Sequence, residues 1–130
     1  MPIPCNKMRY IMNIVFPIIE LIDRLAIAEL KFSKTQLNQQ EVNWYKQQFD
    51  KYDFSSIAEQ YAELKDIHTK IWGLESDIRL GMEHKLGLEE VGKRAIAIRD
   101  WNNKRIALKN QIAERLQCDI REIKKDHASE

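Results

Sequence analysis

Structure-breaking residues are scarce in this chain: 130 residues include only four glycines and three prolines. So few breakers beside 32% charged residues is the balance of long amphipathic helices. The two cysteines, Cys5 and Cys118, form no CxxC pair and no dense framework, which points to reduced thiols and away from a disulfide scaffold. A large charge of one sign is also missing. The formal net charge is +1, so no global field favours nucleic acid or an anionic membrane. No uninterrupted apolar run approaches the ~20 residues of a membrane span. Phosphate-loop, nucleophile-elbow and zinc signatures are absent as well.

What remains is enough for one domain with a single core. The start of the chain imitates a signal peptide: Lys7 and Arg9 precede Tyr10 to Ile19, and Ala26-Ile27-Ala28 resembles a cleavage site. Asn13, Pro17, Glu20, Asp23 and Arg24 interrupt that pattern, so a cytoplasmic location is expected. Frequent Ile, Lys and Asn suggest an AT-rich genome, bacterial or phage.

Residues 1–16 read as a lead-in, with Ile11, Val15 and Phe16 able to form a short strand or to pack. Pro17 suits a helix start, where its missing N–H is harmless. Ile18, Ile22, Leu25, Glu29 and Phe32 then carry a helix over 17–33, with Ile19, Ile27 and Leu30 as a second stripe. A short helix over 41–52 carries Trp44, Phe49 and Tyr52. Ser56 and Glu59 stand in capping-box spacing before a helix over 56–85, about 43 Å long. Its stripe is Ile57, Tyr61, Leu64, His68, Ile71, Leu74, Ile78 and Met82. Gly87 suits a C-terminal cap, and a further helix follows over 88–117. Asp119 can begin a last turn before a solvated tail over 124–130.

Two such helices joined by a few residues must fold back as an antiparallel hairpin. Their charges agree: residues 53–87 hold seven acids and four bases, residues 88–125 ten bases and six acids. Pairing within the hairpin explains the basic helix without nucleic acid, since no aromatic-interleaved basic patch appears. The fold class expected is all-α: a long antiparallel hairpin with a shorter N-terminal helix packed on it as a three-helix bundle. The first helix covers only about half of a ~43 Å hairpin. Residues 41–52 or a second subunit should cover the rest, so a homodimer is expected.

One interruption locates a candidate site. Along Leu88 to Leu116, Val91, Ala95, Ile98, Leu108 and Ile112 keep a helical beat, yet Asn102 and Arg105 occupy apolar slots. A guanidinium there requires a carboxylate and hydrogen bonds. Candidate partners are Glu29 on the first helix and Glu75 and Asp77 on the second, with Asp23, Arg24, Lys31 and Lys109 extending the cluster. Two roles fit: an ion-pair network that sets helix register, or an anion or small-molecule pocket between helices.

Carboxylate spacing raises a metal hypothesis. Glu20 with Asp23 and Glu63 with Asp66 read ExxD, as in all-helical Mg²⁺-dependent nucleotide pyrophosphohydrolases. The EExxE partner is missing, since Glu89-Glu90 is followed by Lys93, and Asp66 falls on the solvent side. His68, His84 and His127 lack ligand spacing, so neither a metal nor another cofactor is expected. His68 reads as a satisfied core histidine, and His84 as a cation at a helix C-terminus. Trp72 and Trp101 read as packing residues, and Gly73 and Gly81 as helix-interior glycines required by a close helix approach.

Three stretches together, IELIDRLAIAELK (19–31), IWGLESDIR (71–79) and WNNKRIALKNQI (101–112), resemble a family of small bacterial and phage proteins known only as a domain of unknown function. The resemblance spans residues 14 to 116. It implies recurrent polar positions at Asp23, Glu29, Lys31, Glu75, Asp77, Arg79, Asn102, Arg105 and Lys109. It also implies a gene neighbourhood of glycosyltransferases and surface polysaccharides, but no activity. Residues 33 to 53 and the Pro17 start depart from that family's pattern.

The leading expectation is therefore a non-enzymatic module for oligomerisation or for binding a protein partner. A small anionic ligand, nucleotide or nucleotide-sugar, bound or turned over at the Arg/Lys/Asn/carboxylate cluster, is the alternative. Mg²⁺-dependent nucleotide hydrolysis stands third. Solvent access at Arg105 separates the first two.

Overall fold

The computed structural model describes residues 17–117, an all-helical arrangement without strands. The expected lead-in, the turn at Asp119, the tail, Cys5, Cys118 and His127 lie outside the described residues. Five α-helices follow one another: α1 (Ile18–Thr35), α2 (Gln39–Phe49), α3 (Ala58–Arg79), α4 (Glu83–Leu86) and α5 (Leu88–Arg115). A 3-10 turn, Ser55–Ile57, leads into α3.

Pro17 stands just before α1, its carbonyl accepting from the N–H groups of Glu20 and Leu21. The helix ends where Gln36 turns left-handed at φ 57° and donates its N–H to the Phe32 carbonyl. Asn38 then donates Nδ2–H to the Ala28 carbonyl (2.9 Å), which holds the α1–α2 corner. Phe49, closing α2, meets Phe54 and Tyr61 at centroid distances of 4.3 and 5.6 Å. That aromatic knot fastens the short helix to the start of the hairpin.

The expected capping box does not form. Ser56 makes no side-chain cap; instead the Asp53 carboxylate accepts from the Ser55 N–H (3.0 Å) and tightens the entry into a 3-10 turn. The helix expected over 56–85 also divides. It stops at Arg79 because Gly81 takes φ 74° and closes a Schellman pair: Gly81 N–H to the Ile78 carbonyl and Met82 N–H to the Asp77 carbonyl. Gly81 is therefore a terminator and not a helix-interior residue. Gly87, at φ 81°, caps α4 and opens α5. Gly73 does lie inside α3, but an added Cβ would meet nothing within 4 Å, so no close helix approach requires it.

α3 and α5 run antiparallel. Lys70 lies over Trp101, Asp77 pairs with Arg94, and Arg115 donates to the Ser56 carbonyl. α1 packs against both arms, and α2 packs against α1. The core joins Ile19, Ile22 and Ala26 of α1 to Ile57, Leu64, Ile67 and Ile71, and to Leu108, Ile112 and Ala113 of α5. Burying each large aliphatic side chain contributes about 1.5–3 kcal/mol. This core occupies only the half of the hairpin near its free ends. From residue 72 to residue 105 no position is buried.

Candidate functional site

Ile19, Ile22 and Ala26 turn one face of α1 inward, and Asp23, four residues after Ile19, falls on that same face. Its carboxylate is consequently 4% exposed and must be fully partnered. Oδ1 accepts from Nε2 of His68 (2.7 Å), and Oδ2 accepts from Nη1 of Arg105 (2.9 Å). The Lys109 ammonium stands 3.5 Å from Oδ2 and donates to Glu20 Oε1 at 2.8 Å. Arg105 Nε donates to Asn102 Oδ1 (3.2 Å). Burial alone pushes the Asp23 carboxyl pKa up; the His68 hydrogen bond and the charges of Lys109 and Arg105 outweigh it and hold the group below its usual range. An ionised carboxylate has no proton to give, so His68 Nε2 carries the hydrogen of that bond.

Glu20, Asp23, His68, Asn102, Arg105 and Lys109 thus form one network from three helices. Its carboxylates and its cations balance two against two when His68 is neutral. It is largely closed: Lys109 and His68 are 2% and 7% exposed, and the Arg105 side chain keeps 19% of its surface in contact with solvent.

Four of the expected residues meet here: Asp23, Asn102, Arg105 and Lys109. The carboxylate expected for Arg105 is corrected. Glu29 lies too far along α1 and instead accepts from Tyr61 (2.9 Å) and Lys65 (2.7 Å). Burial and the neighbouring Glu29 raise the Tyr61 pKa, which keeps its phenol a donor. Asp77 pairs with Arg94, eleven residues and about 16 Å of helix from Arg105. Glu75 pairs with Arg79 at 2.8 Å on the same half-buried stretch of α3. Arg94 adds Glu90 (3.1 Å), giving that end of the hairpin its own surface ion pairs. Lys31 lines a shallow depression of about 390 Å³ with Glu20, Asp23, Arg24, Glu41 and Tyr45.

His68 and Glu20 belong to the network though neither was assigned to it from spacing. Both carried a signal: Glu20 precedes Asp23 by one helical turn, and His68 fills a slot of the apolar stripe of α3.

On the other side of the hairpin a groove of about 580 Å³ runs between α3 and α5. Lys70 and Lys104 there lie 4.5 and 4.4 Å from the centre of the Trp101 ring. Trp101 also packs against the core, as expected of a packing residue. Among the described residues, no three His, Cys, Asp or Glu side chains converge as a metal-holding group. Glu20 and Asp23 are engaged by cations, and Asp66, 61% exposed, pairs with Lys70. Among the same residues no helix is long and apolar enough to cross a membrane. No protein-family model, curated protein or solved structure matches the chain.

Proposed function

We propose that this protein is a non-enzymatic helical interaction module, a three-helix bundle whose polar cluster fixes how the helices sit. The observation that supports this reading is the state of the two cations an anionic ligand would need. Arg105 is held by Asp23 and Asn102, and Lys109 by Glu20 and Asp23. A ligand at either cation would have to compete with the buried Asp23 carboxylate, and breaking that pair costs several kcal/mol. Polar residues of this kind serve register better than recognition, since any slip leaves a buried charge unpaired.

A second reading keeps one observation in its favour. The depression lined by Lys31, Arg24 and Tyr45 reaches Asp23, so a nucleotide or nucleotide-sugar could in principle approach the network from that side. Glu20, Asp23 and Glu41 in the same lining oppose an anion. A thermal-shift screen of wild type and Arg105→Ala decides between them, with nucleotides, nucleotide-sugars, phosphorylated sugars and divalent cations as probes. The expected result is no ligand-dependent shift and a variant of lower melting temperature. A compound at 100 times its dissociation constant would add ~2.7 kcal/mol, and such a gain lost in the variant overturns the reading.

A further inference from the structure

We draw no further inference here: the strongest candidate, the groove between α3 and α5 where Lys70 and Lys104 lie against Trp101, sets Glu63 and Asp66 beside those two lysines, so its charges balance and nothing in the structure shows what would bind there.

Discussion

Asp23 is the residue on which the three long helices agree. One carboxylate takes a hydrogen bond from α3 and another from α5, with a second α5 cation 3.5 Å away. Arg105→Ala should therefore destabilise by about 2–3 kcal/mol in urea unfolding, less than the ~3–5 kcal/mol of a fully buried pair because the guanidinium touches solvent. A cycle with Asp23→Ala should return a coupling of at least ~1 kcal/mol; additivity would show that the two residues do not act together. The pH dependence follows from the lowered Asp23 pKa. Its stabilisation is complete above the unfolded-state value near 3.8 and is lost as pH falls through the lower folded-state value. The stability gap between wild type and Asp23→Asn should hold between pH 5 and 7 and narrow below about pH 4. A gap that widens on acidification contradicts this assignment.

At the scale of elements, two glycines of similar appearance in the sequence have opposite roles. Gly73 sits in the interior of α3 with open space where a Cβ would go, whereas Gly81 holds φ 74° at the end of that helix. Gly73→Ala should raise stability by roughly 0.5–1 kcal/mol through helix propensity. Gly81→Ala should lower it by about 1–2 kcal/mol, because an L side chain resists the left-handed region. Thermal unfolding of both variants checks this, and the same sign for both would refute the termination of α3 at Gly81. Helix existence was legible from periodicity: α1 buries Ile22 and Leu25 of its stripe and α5 buries Leu108 and Ile112, although Leu88 and Ala95 at the other end of α5 stay exposed. The cap at Gly87 was legible too, but the two ends of α3 were not, because Gly81 and Asp53 act through backbone geometry that a stripe does not encode.

Across the whole molecule the core is confined to one half of the hairpin, where α1 crosses it. Stability should be graded accordingly. Amides of residues 76–98 should exchange hydrogen well before those of residues 64–71 and 106–113. Uniform protection along both arms would show that the half without buried residues is held by contacts beyond this core.

Composition and periodicity were sufficient for an all-helical chain with a basic last helix and for a polar cluster at Asn102 and Arg105, because these depend on which residue types share a helical face. Which carboxylate answers Arg105 was settled only by the path of α1 across the hairpin. Asp23, Glu29 and Asp77 are chemically interchangeable in a sequence, and just one of them is carried to within 2.9 Å of the guanidinium. The exposure of Leu88 and Ala95 was likewise invisible to periodicity, since spacing reports which side chains share a face and not how far the helix lying on that face extends.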